Sequence, residues 1–228
     1  YVVGSDLCTL SLVDLNGDGL LDVAAACGSQ IVTLFNQGDG SFDDVISYTA
    51  VADTHFVHVA DVNGDGAVDL CGANRGMNTV SLWLNASRAD GRLNTALQLE
   101  LGGTDPVSIA TADVDGDGAL DMVTANRGTR DFSVLLNDGA GAFALPRTYF
   151  HGGASPDPLS LNVADFNADG APDLAITSGG TLICVFNDGA GAFGEPVTPP
   201  RPPISNPIYL LGSADLDRDG DFDLVTRL

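Results

Sequence analysis

The chain has 228 residues, 44% of them hydrophobic, with 31 acidic side chains against nine basic ones and a formal net charge of −22. That apolar content sustains a packed core and excludes a disordered chain; so negative a surface excludes nucleic acid as a partner and disfavours anionic membranes. All acids but Glu100 and Glu195 are Asp, there is no Lys, and 28 residues are Gly, so helix formers are scarce, turn formers abundant, and an all-β chain is expected.

In chain order, a first apolar segment ends at Val13 and runs into "DLNGDGLLD" (14–22), after which Val23 opens a second. "IVTLFN" (31–36) is a third, the Gly-rich "QGDGSF" follows, and a fourth starts near Phe42. Short runs of alternating or β-branched residues bounded by Gly and Asp predict strands, and Gly-rich turns after Asn predict hairpins. The pattern then repeats. The loop returns as "DVNGDGAVD" (61–69), "DVDGDGALD" (113–121), "DFNADGAPD" (165–173) and "DLDRDGDFD" (215–223), with successive starts 47, 52, 52 and 50 residues apart. The third segment returns as "VSLWLN" (80–85), "FSVLLN" (132–137) and "LICVFN" (182–187), each followed by a Gly-containing turn that ends at Leu93, Phe143 or Phe193.

Four antiparallel strands per roughly 50 residues are the unit of a β-propeller blade. The expected fold is therefore an all-β propeller domain over 1–228, with repeats at 1–53, 54–105, 106–157 and 158–207 and a half blade at 208–228. An open half blade exposes a strand edge that proteins normally protect. The chain is thus expected to be part of a larger ring, completed by the rest of the same propeller or by a partner chain. It begins at Tyr1 without an initiator Met or a signal peptide, as a mature or partial chain does. No apolar run approaches the roughly 20 residues needed to span a bilayer.

Each loop has Asp or Asn at places one, three and five, Gly at place six and Asp at place nine. Calcium takes six to eight oxygens at roughly 2.3–2.6 Å, and this alternation supplies three side-chain oxygens from one tight turn. Place seven adds a backbone carbonyl and place nine closes the shell. The predicted ligand sets are Asp14, Asn16, Asp18, Leu20 and Asp22; Asp61, Asn63, Asp65, Ala67 and Asp69; Asp113, Asp115, Asp117, Ala119 and Asp121; Asp165, Asn167, Asp169, Ala171 and Asp173; and Asp215, Asp217, Asp219, Asp221 and Asp223. Gly19, Gly66, Gly118, Gly170 and Gly220 permit the bend. An EF-hand closes at place twelve with Glu and continues as a helix, whereas place twelve here is Ala25, Gly72 or Thr124 inside a predicted strand. Up to five structural calcium ions are expected. Loop three, with four carboxylates, ranks first and loop four, with Ala168 at place four, ranks last. Arg218 offsets the charge of loop five.

These loops and the strands around them resemble the FG-GAP, or VCBS-type, repeat family. Its members include the integrin α-chain propeller, many secreted bacterial and algal proteins, and some fungal lectins. The resemblance implies a propeller, commonly of seven blades, with calcium in the loops on one face. It further implies an extracellular or cell-surface module for adhesion, protein interaction or scaffolding, without catalysis of its own. A lectin-type propeller and a non-catalytic module of a larger secreted enzyme are the alternatives.

On the face opposite the loops, "ANRGMNT" (73–79) and "ANRGTRD" (125–131) place Asn74, Arg75, Asn126 and Arg127 equivalently. Paired Arg suits a carboxylate of a protein or glycan ligand; solvated Arg on an acidic protein is the plainer reading. Cys8 and Cys27 flank the first loop at near-equal distances, which suits a disulfide across the strands. Cys71 and Cys184 read as small buried hydrophobes. "HFVH" (55–58) occupies interchangeable strand positions and is a poor metal motif, Trp83 reads as packing, and "NAS" (85–87) is one glycosylation acceptor pattern.

Overall fold

The computed structural model describes residues 7–43, 45–85, 90–151, 158–200, 209–218 and 222–227. These residues form fifteen strands and no helix. Two compact units divide the chain, residues 1–101 with 139–142, and residues 102–138 with 143–228.

In the first unit, β1 (Leu7–Val13), β2 (Asp22–Leu34), β3 (Ile46–Ala60), β4 (Asp69–Asn74), β5 (Thr79–Trp83) and β6 (Leu97–Glu100) form one antiparallel sheet in sequence order. The second and third strand segments of the first repeat run together in β2, because only Gly28, Ser29 and Gln30 lie between them. Likewise β3 carries the last strand of the first repeat and the first strand of the second.

The second unit holds a four-stranded sheet of β7 (Pro106–Ala112), β8 (Asp121–Asn126), β9 (Asp131–Leu135) and β10 (Arg147–Phe150). It also holds a three-stranded sheet of β11 (Pro158–Ala164), β12 (Asp173–Ser178) and β13 (Thr181–Val185), and the pair β14 (Tyr209–Ala214) and β15 (Asp223–Arg227). The fourth strand of the fourth repeat shrinks to one bridge, Val197 to Cys184. Pro196, Pro199 and Pro200 explain this, because proline cannot donate to a ladder. The first strand of every repeat carries an irregularity near its start, between Leu7 and Thr9, Thr54 and Phe56, Pro106 and Ser108, Pro158 and Ser160, and Leu210 and Gly212. Such a bulge bends the strand and increases its twist.

Each unit has a core where one blade packs on the next. Ala24, Ala26, Ile31 and Phe35 meet Val57, Leu70, Trp83 and Leu93 in the first unit. Val123, Ala125, Phe132 and Val134 meet Leu161, Leu174, Ile176, Ile183 and Val185 in the second. Trp83 is 1% exposed, so it packs as expected.

Candidate metal centre

Each loop joins the first and second strands of its repeat, and in loops one to four a set of short hydrogen bonds folds it inward. In loop three, Asp113 Oδ1 accepts from Gly116 N at 2.8 Å and Asp117 N at 3.0 Å, while its Oδ2 accepts from Gly118 N at 3.0 Å. Asp117 Oδ1 accepts from Ala119 N at 2.8 Å. Loops one, two and four repeat this pattern, as when Gly19, Gly66 and Gly170 donate to Asp14, Asp61 and Asp165. The result in loop three is convergence. One carboxylate oxygen from each of Asp113, Asp115 and Asp117 lies within 4.8 Å of the others. Asp215, Asp217 and Asp223 of loop five converge in the same way; Asp219, Gly220 and Asp221 lie outside the described residues.

Loops one, two and four solve the same crowding differently. The place-three carboxamide donates to the place-five carboxylate, Asn16 Nδ2 to Asp18 at 3.0 Å, Asn63 to Asp65 at 3.0 Å and Asn167 to Asp169 at 2.9 Å. Asp115 has no such proton to give. An all-oxygen, carboxylate-rich set suits a hard divalent cation, so the residues of loop three fit calcium, with Asp113, Asp115 and Asp117 as holders.

Place nine is different in kind. Asp22, Asp69, Asp121 and Asp173 are all fully buried. One oxygen of each accepts from the amide at place two of its own loop, Leu15, Val62, Val114 and Phe166, at 2.9–3.1 Å. The other accepts from the amide of the Asn two residues beyond the third strand, Asn36, Asn85, Asn137 and Asn187, each at 2.8 Å. Burial pushes the Asp69 carboxyl up to about 6 and raises Asp22, Asp121 and Asp173 too, with amide bonds pulling the other way and nearby loop carboxylates adding repulsion. Place nine thus ties loop to sheet, and Asp121 is not among the loop-three carboxylates that converge.

The Asn just beyond each third strand recurs four times in the sequence but carries no motif that marks its role. Asn85 and Asn187 span the seam between blades, while Asn36 and Asn137 donate to Leu21 O and Leu120 O of their own loops. Asn85 Nδ2 donates to Leu15 O at 2.9 Å, and Asn187 Nδ2 to Val114 O at 2.8 Å. Gly191 N adds a second bond to Val114 O at 2.9 Å. The Gly-rich turns of successive repeats lie on the loops before them; a Cβ on Gly141 would sit 3.4 Å from Asn63 Cβ, and one on Gly191 3.3 Å from Asp115 Cβ. Asn85 is fully buried with its amide so engaged, which corrects the reading of "NAS" as a glycan acceptor.

The opposite-face residues also need correction. Asn74 and Asn126 are fully buried. The Asn74 carboxamide donates to Thr79, Ser81 and Gln98 and accepts from Thr54, while Asn126 donates to Asp131 and Ser133 and accepts from Thr124. These networks hold the blade, so neither Asn is presented to a ligand. Arg127 is paired with Asp105 at 2.7 Å, and Arg75 is half-buried with its amide donating to Asp53 O at 3.1 Å. Cys8 occupies the bulge between Leu7 and Thr9, beside the Leu7–Cys27 pair; its side chain lies outside the described residues, and the expected disulfide with it. His55 pairs with Asp53 at 2.9 Å, and burial drops His58 to about 4.

A model of the FG-GAP-like repeat matches residues 14–72, 61–124, 113–176 and 165–226. No curated protein matches the sequence significantly. Among solved structures, a lectin of Agrocybe aegerita that recognises non-reducing terminal N-acetylglucosamine is 23% identical, with TM-score 0.57 over 82% of this chain and 50% of that one. A protein from Lactobacillus plantarum is 14% identical, with TM-score 0.65 over 97% of this chain and 64% of that one. The Tc holotoxin pore of Photorhabdus luminescens is 25% identical, with TM-score 0.55 over all of this chain and 11% of that one. The chain therefore spans less than two thirds of the length of each. The shared feature is the fold, an all-β propeller of antiparallel blades.

Proposed function

The chain belongs to the FG-GAP-like repeat family, and on that premise we propose that it is a calcium-stabilised propeller module that serves extracellular adhesion, protein interaction or scaffolding, without catalysis of its own. The observation that carries this reading is the convergence of Asp113, Asp115 and Asp117 in loop three. Three carboxylates so close repel one another, and a bound divalent cation converts that repulsion into attraction. The ion's chemistry here is structural, joining the two ends of a strand-to-strand turn. Sites of this kind in extracellular modules bind at about 10⁻⁴–10⁻³ M, which suits a compartment rich in calcium and not one depleted of it.

Thermal melting in chelator and across a calcium titration tests the proposal. Each site held at ten times its dissociation constant adds about 1.4 kcal/mol, so Tm rises with calcium. Equal Tm in calcium and in chelator overturns it.

A glycan ligand is the second reading, favoured by a cleft of about 340 Å³ in the first unit lined by Ser47, Tyr48, Thr49, Asn94 and Thr95 together with Leu93, Ala96 and the buried Trp83. Hydroxyls, a carboxamide and an aromatic edge suit a sugar. A glycan-array signal that disappears in Asn94→Ala supports this reading, and a blank array removes it.

A further inference from the structure

We propose that Asn187, with the turn that follows it, is a positioning element for the cation ligands of loop three, so that the fourth repeat sets the metal affinity of the third repeat's loop. The inference rests on the reading of loop three as a calcium site and extends it across the seam. Three observations carry it, two in the second unit and one in the first.

First, the peptide that joins Val114 to Asp115 is gripped from its Val114 side by the following blade. Its carbonyl oxygen accepts from Asn187 Nδ2 at 2.8 Å and from Gly191 N at 2.9 Å. Because the peptide is planar, fixing that oxygen also fixes the plane in which the Asp115 Cα lies. Asp115 is the place-three ligand, so its carboxylate takes its aim from a residue more than seventy positions away.

Second, the amide on the other side of Val114 donates to Asp121 Oδ2 at 2.9 Å, and Asp121 Oδ1 accepts from the Asn137 amide. Val114 is therefore held between its own sheet and the next blade, which restricts the backbone positions open to Asp115. Asn187 is itself 3% exposed, and its backbone amide is fixed on Asp173 at 2.8 Å.

Third, the arrangement recurs in the first unit. Asn85 Nδ2 donates to Leu15 O at 2.9 Å, one residue before the place-three ligand Asn16, and a Cβ on Gly91 would sit 3.2 Å from the Leu15 carbonyl carbon. Asn36, at the same position of the first repeat, instead donates to Leu21 O of its own loop. It supplies the internal control.

A double-mutant cycle on the whole chain tests this. Asp115→Asn removes a ligand charge, Asn187→Leu removes the clamp at nearly constant volume, and Asn187→Gln keeps the carboxamide but displaces it by one methylene, should Leu prevent folding. Calcium affinity is read by titration calorimetry and by the Tm rise from chelator to saturating calcium. Removing groups that orient metal ligands typically weakens affinity by about tenfold or more. The expected result is a loss of that size in each single variant, with the double variant no weaker than the worse of the two, and with Asn36→Leu leaving loop-three binding unchanged. Losses that multiply in the double variant overturn the proposal while leaving the calcium reading intact. If the unaltered chain gives no calorimetric heat with calcium and the same Tm in calcium and in chelator, the calcium reading itself fails, and the proposal with it.

Discussion

At place four of every loop the backbone enters the left-handed region, with φ of 74° at Gly17, 68° at Gly64, 75° at Gly116, 61° at Ala168 and 66° at Arg218. An L-residue there costs about 1–2 kcal/mol relative to ordinary backbone. Gly avoids that strain but loses more conformational freedom on folding, which offsets part of the gain. Ala168→Gly should therefore stabilise the chain by about 1 kcal/mol, which for a chain of this size raises Tm by about 2–4 °C. An unchanged or lowered Tm would show that loop four carries no strain. The glycine at place six was legible because it is invariant across the five loops. The demand at place four was not, because Ala168 and Arg218 stand there as if any residue served. Side-chain identity reports φ only when the strained position is always glycine.

Among the elements, the loop and the two strands it joins divide their acids between two tasks. Asp113 at place one faces the other carboxylates and the loop's own amides, in partial exposure to solvent. Asp121 at place nine is fully buried and satisfies one amide of the loop and one from just beyond the third strand. Leaving a buried amide unpartnered costs about 1–3 kcal/mol. Asp121→Ala is thus expected to destabilise by roughly 3 kcal/mol in calcium and in chelator alike, whereas Asp113→Ala should cost most of its stability only in calcium. Chemical denaturation of both variants, with and without chelator, reads the difference; equal calcium dependence in the two would put place nine among the ligands alone. Sequence spacing exposed the loop, because its five key residues lie within nine positions. It did not expose the clamp of Asn85 on Leu15 or of Asn187 on Val114, whose partners are 70 and 73 residues apart. Nor did it tell the inward Asn74 and Asn126 from surface residues, since a short polar side chain is equally at home in a buried network and in a solvated turn.

The whole molecule carries a net charge of −22, and much of it is concentrated by the fold in loops that gather several carboxylates apiece. Arg127 with Asp105 is a half-buried ion pair, and Arg92 with Asp90 an exposed one; nine Arg cannot balance 31 acids. Self-repulsion of this kind opposes the compact state and is screened by salt, over a distance of about 30 Å at 0.01 M and about 8 Å at 0.15 M. In chelator, Tm should therefore climb as sodium chloride is raised from about 0.01 to 0.15 M. Five divalent ions would remove ten of the excess negative charges, and would do so where the density is greatest. In saturating calcium the same salt increase should then move Tm by clearly less. Melting curves at the two salt concentrations, in each condition, settle the matter. Parallel salt dependence with and without calcium would mean that the ions, if bound, do not relieve the charge the loops have gathered, and the stabilising role assigned to them would have to come from the geometry of the turn alone.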